Sequence, residues 1–443
     1  MSQTDFSPTG FTQFALSPLV QQGVADAGFT EPRPIQAQTI PAVLAGSDVM
    51  GLAQTGTGKT AAFALPIIEK LHGKRRPGPR ALVLAPTREL ATQIHADFER
   101  LAKHTRLKAV TVYGGVSERP QVRALQSQPD VVIACPGRLL DLFQQGKAML
   151  AQIQTLVLDE ADQMFDMGFL PDIQSILQAL PGKRQNLLFA ATMPREVRSL
   201  ADRILDKPHV VELANKRPAS TIEHALYRVT SDEKIDLLKH LLAAPDFTSA
   251  IVFLRTKHRA KRLGLQLEKF GHKAVALQGN MTQGQRDRAM SGFREGRFDV
   301  LVATDIASRG IDVAGVSHVI NFDVPNTPEA YTHRIGRTGR SEQTGKAFTL
   351  ASREEAGAVK AIERNIGSPI KLLEVPEFGR NGAVRSVPFS DSRRKEGPRR
   401  DASQKESPRK DSRRPAPRKR TAQTGAPQGE GKAIRRRRRP RQG

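Results

Sequence analysis

Residues 53–60, AQTGTGKT, follow the apolar run 49–52 and precede AAFALPII, whose apolar spacing is helical. That order predicts a strand, a Gly-rich turn and a helix start. Backbone N–H groups of such a turn point inward, and the helix N-terminus adds partial positive charge, so the turn can hold polyphosphate. Lys59 then reaches the β- and γ-phosphates, and the Thr60 hydroxyl ligates Mg²⁺. The usual phosphate-loop pattern opens with Gly, where this chain has Ala53. The plain alternative is a Gly-rich strand–helix turn with no ligand.

Outside this stretch, short apolar runs alternate with helical patterns. The runs are 81–85, 109–113, 131–134, 155–158 and 187–190. Short, nearly continuous apolar strands between helices predict a parallel sheet covered on both faces. Ligands of such sheets gather at the carboxyl ends of the strands. There the chain carries PTREL at 86–90, Gly114-Gly115, CPGR at 135–138, DEAD at 159–162 and AAT at 190–192. DEAD follows the strand TLVL, so Asp159 can hold Mg²⁺ and Glu160 can deprotonate the attacking water. Without the phosphate loop upstream, the same residues would read as an acidic helix cap. Before the loop, 28–36 reads GFTEPRPIQ, where the prolines predict an extended segment presenting Gln36. Its amide suits an adenine edge, or else it faces solvent.

A segment mixing Pro, Lys and Asn predicts a linker at 208–220. A second α/β series follows, with runs at 225–229, 250–254, 274–277, 300–303, 319–322 and 347–350. No sequence period relates the halves, so the inferred repetition is architectural. The second half has its own polar clusters: Arg255 after IVFL, Gln283 and Arg286 at a helix start, TDIASRGID at 304–312, and YTHRIGRTGR at 331–340. In the last, Arg334, Arg337 and Arg340 recur every three residues. Such arginines can spread γ-phosphate charge, or form a solvated basic surface.

The whole chain sets limits. Its 443 residues suggest roughly three domains, or two plus extensions. A hydrophobic content of 38%, aromatics at 5% and no Trp suit an α/β core of Val, Ile, Leu and Ala. A formal net charge of +24 favours a polyanionic partner, nucleic acid over a membrane surface. The single cysteine, Cys135, excludes an internal disulfide and predicts a reducing, cytoplasmic setting. MSQTDFSPTG lacks a signal-peptide layout, and no apolar run nears the ~18 residues of a membrane span. Residues 379–443 hold 22 Lys and Arg against 6 Asp and Glu, so +16 of the charge lies in a tail too polar to fold alone. Such a tail binds phosphate backbone without sequence preference.

These motifs, in this order, resemble a DEAD-box ATP-dependent RNA helicase over about residues 11–367, and the spacing is similar to the RhlE-like bacterial subfamily. The resemblance implies two RecA-like parallel-sheet domains in tandem, 11–207 and 221–368, with disordered segments at 1–10 and 369–443. It implies ATP and Mg²⁺ bound between the domains. Phe11 would stack on adenine and Gln36 read its edge. Gln54, Thr55, Gly56, Thr57, Gly58, Lys59 and Thr60 would hold the nucleotide, with Thr60 and Asp159 on the metal. Asp312 would contact the ribose, and Arg337 and Arg340 the γ-phosphate. Thr192, Asp162 and His333 would couple the domains. RNA backbone contacts map to Pro86, Thr87, Arg88, Gly115, Pro136, Gly137 and Arg138, and to Arg255, Gln283, Arg286 and Thr304. Partners implied are structured or duplex RNA, with ribosome-assembly particles or RNA-decay machinery as settings, and no membrane.

Three positions depart from the family pattern. Arg33 and Cys135 stand where hydroxyl residues are usual, and Ala190 replaces the first residue of Ser-Ala-Thr. None is a phosphate or metal ligand, so hydrolysis should survive; the change at Ala190 bears on its coupling to strand separation. Two rival readings remain: an RNA-annealing scaffold acting through the tail, and a DNA translocase, which fits the α/β core but not the motif set.

Overall fold

The computed structural model describes residues 10–53, 56–73, 78–213, 222–308, 313, 315–339 and 345–374. The first sheet contains β1 (Val49–Leu52), β2 (Ala81–Leu84), β3 (Ala109–Val112), β4 (Val131–Ala134), β5 (Thr155–Leu158), β6 (Gln185–Ala190) and β7 (His209–Glu212). The second contains β8 (Ile222–Arg228), β9 (Ala250–Leu254), β10 (Ala274–Leu277), β11 (Val300–Thr304), β12 (His318–Asn321), β13 (Gly345–Ala351) and β14 (Lys371–Leu373). All pairings are parallel.

The orders are β3-β4-β2-β5-β6-β1-β7 and β10-β11-β9-β12-β13-β8-β14. Counted from its own first strand, each sheet has the same order. The two lobes are therefore one RecA-like winding used twice, as the architectural repetition predicts. β2, β4 and β5 are buried at every residue, because helices cover both faces. On one face of the first sheet, Phe63 packs between Phe98 and Phe189 at ring distances of 6.3 and 5.5 Å. Gly51 of β1 is required there: a Cβ would lie 2.4 Å from the Phe189 ring.

Two elements correct the expected boundaries. His209–Glu212 lies in the predicted linker but pairs with β1 as an edge strand. Lys371–Leu373 lies in the predicted disordered tail but pairs with β8. Both were missed for one reason. An edge strand here buries little, only Val211 in β7 and no residue fully in β14, so neither leaves an apolar run. Residues 1–9, the rest of the predicted linker at 214–220, residue 221 and the tail from 375 lie outside the described residues. Among the described residues, no helix is long and apolar enough to cross a membrane.

Candidate nucleotide and RNA site

The loop after β1 is held from beneath. Ala53 N–H donates to the Ala190 carbonyl at the end of β6, at 3.0 Å. The Lys59 ammonium, 5% exposed, donates to the Ala53 carbonyl at 2.8 Å. Gly58, at φ 93°, caps the helix Lys59–Leu71, so the chain turns from loop to helix in a conformation that favours glycine.

Gln36 supports this turn, and its setting corrects the extended segment expected around it. Pro34 stands at the first position of the helix Pro34–Leu44, where a missing N–H costs nothing. Gln36 is thus in the first helical turn and fully buried. Its Oε1 accepts from Arg33 N–H at 2.8 Å and its Nε2 donates to the Gly58 carbonyl at 3.1 Å. Arg33, one of the departures from the family pattern, donates from its guanidinium to the Gly56 carbonyl at 2.6 Å. The Phe11 ring is covered by Phe14 and Phe29, each at 5.8 Å. A Cβ on Gly58 would lie 2.6 Å from Gln36 Nε2. Gly58→Ala is therefore expected to displace Gln36 and to raise the KM for ATP about tenfold, read from steady-state ATPase titrations; an unchanged KM would count against this turn as a nucleotide cradle.

DEAD begins where β5 ends. Asp159 is 2% exposed and its Oδ1 accepts from Glu160 N–H at 3.0 Å. Burial, assisted by Glu160 and opposed by Lys59, raises the Asp159 pKa. A carboxylate in that state gains from a cation. One buried carboxylate and one hydroxyl, Thr60, beside a phosphate cradle form the sparse donor set typical of Mg²⁺, which keeps waters and takes phosphate oxygens. Among the described residues there is no cluster of three or more His, Cys, Asp or Glu that would make an all-protein metal cage. Glu160, 2% exposed, adopts a left-handed φ of 53° at the start of the helix Ala161–Asp166. A non-glycine residue there is uncommon and marks a constrained position.

Asp162 joins the lobes. Its Oδ2 accepts from Ala191 N–H, Thr192 N–H and the Thr192 hydroxyl at 3.1, 2.8 and 2.9 Å. His333 Nε2, from the other lobe, lies 3.6 Å from the same oxygen. Burial alone would raise this carboxyl; His333, Lys59 and the Thr192 N–H outweigh it and hold it down at about 2. All three hydrogen bonds to Asp162 Oδ2 come from residues 191 and 192. Ala190 contributes its carbonyl to the phosphate loop and its side chain to the core. In this chain the Asp162 carboxylate is therefore hydrogen-bonded without a hydroxyl at 190.

Arg286 differs most from expectation. Predicted at the RNA backbone, it is 3% exposed. Its guanidinium pairs with Glu89 of the first lobe at 2.6 Å and donates to the Ala307 carbonyl at 3.0 Å. Glu89, the carboxylate in PTREL, was not singled out from the sequence; its only signal was an acid in a helix first turn. The arginine series also splits. Arg334 is locked by Asp305, Asn321 and the Asp323 carbonyl inside the second lobe. Arg337, 4% exposed, lines a small cavity with His333 and with Gln163 of the DEAD helix. Gln54, Thr55, Asp312 and Arg340 lie outside the described residues.

The remaining predicted residues cluster at strand carboxyl ends. Pro86 and Thr87 precede the helix Arg88–Leu101, and the Thr87 hydroxyl accepts from Leu90 N–H. Arg88 and Gly115 adjoin: a Cβ on Gly115 would lie 2.6 Å from the guanidinium. Pro136, Gly137 and Arg138 open the helix Pro136–Gln144, and Arg138 donates to the Val116 carbonyl at 3.3 Å. Cys135 caps that helix without a side-chain hydrogen bond. Burial, with the nearby Glu89 carboxylate, pushes its thiol up to about 12, so it stays protonated at neutral pH. In the second lobe, Arg255 pairs with Glu355 at 3.0 Å, Gln283 opens the helix Gln283–Arg294, and Thr304 ends β11. Helix N-termini on both lobes thus offer N–H groups to phosphates.

A phosphate loop and acidic strand end in one RecA-like lobe, faced by a buried arginine from the other, define a two-lobed nucleoside-triphosphate hydrolase. A model of the DEAD/DEAH box helicase family matches residues 33–200, and one of the helicase conserved C-terminal domain matches 233–342. The ATP-dependent RNA helicase CshA of Listeria monocytogenes is 42% identical over 371 residues, covering 84% of this chain and 71% of that protein. RhpA of Helicobacter pylori, a DEAD-box ATP-dependent RNA helicase, is 44% identical over 388 residues, covering 87% and 78%. The structure of Saccharomyces cerevisiae Dbp5 bound to RNA and ADP BeF3 matches with a TM-score of 0.76 at 31% identity, covering 83% of this chain and 96% of that one. A match that spans both lobes at that score requires a similar placement of one lobe against the other. The chain belongs to the DEAD-box family of ATP-dependent RNA helicases.

Proposed function

We propose that this RNA helicase works as a clamp, closed jointly by ATP and RNA and reopened after hydrolysis. The observation that carries the reading is the meeting of the lobes at two polar contacts, His333 with Asp162 and Arg286 with Glu89. A ligand shifts such an equilibrium only by its differential affinity for the closed state. Nucleotide touching both lobes, and RNA lying across both, each supply that difference.

In this reading the loop 54–60 and Lys59 hold the phosphates, with Phe11 and Gln36 near the adenine and Asp312 at the ribose. Thr60 and Asp159 would hold Mg²⁺, which offsets charge on the transferred phosphoryl group. Glu160 takes the proton of the attacking water, and Arg337 with Arg340 spreads the developing charge. Thr192, Asp162 and His333 report nucleotide state between lobes. RNA lies on Pro86, Thr87, Arg88, Gly115, Pro136, Gly137 and Arg138, then on Arg255, Gln283 and Thr304. Contact through backbone groups and helix N-termini supports little sequence preference. Ribosome-assembly particles or RNA-decay machinery as settings, a cytoplasmic location, and the RhlE-like subfamily are parts of this proposal. ATPase rates measured with and without RNA test the clamp: strong stimulation is expected, and equal rates would defeat it.

A further inference from the structure

The nucleotide and RNA sites leave one feature of the second lobe unused. Among the described residues β10 is an edge strand, paired only with β11. Along its open side runs a groove of about 680 Å³, within the size range of clefts that enclose a ligand. Lys257 and Lys261 line one wall and Arg288 and Arg297 the other, over an apolar floor of Val275 and Phe298. Among the described residues no carboxylate is in the lining, although Glu295 pairs with Arg297 at 2.9 Å and leaves Lys257, Lys261 and Arg288 as the main charges of the groove. All four cations are exposed, while Val275 and Phe298 are half-buried.

The position of the groove suggests its occupant. Its upper end is made by the first turns of the helices Lys257–Lys269 and Gln283–Arg294. Those are the helix starts beside Arg255 and Gln283, where the RNA path crosses the second lobe. Its lower end, at Arg297 and Phe298, precedes β11 on the opposite side of the lobe. A chain leaving the RNA path at the sheet edge would therefore descend between two rows of cations over an apolar strip. Cations spaced along a groove with an aromatic surface are the features that hold single-stranded nucleic acid without sequence preference.

We propose that this groove binds the single-stranded extension of an RNA whose core lies across both lobes, so that the helicase prefers substrates with an overhang on one side. The inference rests on the RNA path proposed above. Its test uses the full-length double variant Lys261→Glu/Arg288→Glu, both on exposed helix surfaces, with thermal melting to verify folding. The probes are an oligouridine that spans only the two lobes, and the same oligomer extended at either end. The variant should lose about tenfold in affinity for one extended oligomer, and its salt slope should fall by about one per altered contact. ATPase at saturating short oligomer should stay within about twofold of the parent.

Equal losses for short and extended oligomers would overturn the proposal, because the charges would then act on the core RNA. So would an unchanged affinity for both extended oligomers. An acidic peptide that crosslinks to Lys261 while extended RNA neither competes nor depends on Arg288 would assign the groove to a protein instead. Absence of stimulation by any RNA in the parent would defeat the clamp itself, an outcome distinct from all of these.

Discussion

Arg337→Ala is expected to lower the kcat of RNA-stimulated ATP hydrolysis by about 10³-fold, the effect of removing a guanidinium from a phosphoryl-transfer site. Arg337 stands in the turn after the helix Pro328–Ile335, 4% exposed, with Gln163 of the DEAD helix on the other side of their shared cavity. A charge fixed in so dry a setting acts through a low dielectric and needs no reorganisation when the phosphoryl group moves. Its benefit arises in the transition state, so affinity for ATP in the absence of RNA should change little. Lys at 337 should rescue poorly, since an ammonium lacks the planar fork that bridges two oxygens. Single-turnover hydrolysis alongside nucleotide binding measures both. A loss under about tenfold would remove Arg337 from the reaction and leave it a packing residue.

The second large effect concerns closure. Arg286→Ala is expected to reduce the mutual enhancement of ATP and RNA binding by up to about 100-fold, the usual upper range of a coupling free energy. The pair with Glu89 is nearly dry, at 3% and 14% side-chain exposure. Among the described residues, removing Arg286 leaves Glu89 with only the longer pair to Arg88 at 3.5 Å, and a poorly compensated buried charge costs more than the pair contributes net. Here the penalty falls on the closed state alone, because separated lobes would return Glu89 to water. RNA affinity without nucleotide should therefore be unchanged, whereas a residue on the RNA backbone would lose it. The double exchange Glu89→Arg/Arg286→Glu should recover part of the coupling. Recovery stays partial because a carboxylate at 286 would face the Ala307 carbonyl, which now accepts a hydrogen bond. Binding isotherms for a nucleotide analogue, with and without oligouridine, separate these outcomes. Unaltered coupling in Arg286→Ala would sink the latch.

Most of the fold could be read along the chain because its central strands are buried on both faces. An apolar run such as ALVL in β2 or TLVL in β5 has no competing explanation once helical patterns flank it. Edge strands offer no such run, and β7 and β14 were absorbed into a linker and a tail. Local chemistry was read unevenly as well. Prolines before Gln36 suggested extension, yet Pro34 at a first helical position begins a helix and turns the glutamine inward. Cys135 and Ala190 looked like losses of a hydroxyl; at the second, residues 191 and 192 still supply three hydrogen bonds to Asp162 Oδ2.

By itself the sequence determined the two parallel-sheet lobes, the order of their motifs, the phosphate- and metal-seeking residue types, and where the positive charge is concentrated. Periodicity and side-chain chemistry are local properties, written within a few residues of one another. Only the tertiary structure decided which arginine does what: Arg334 inside its lobe, Arg337 toward the DEAD helix, Arg286 against Glu89. That last pair is separated by 197 positions in the chain. Nothing local favours Arg286 over another cation as the partner of Glu89. The choice is made when two independently wound sheets meet and exclude water from one particular gap.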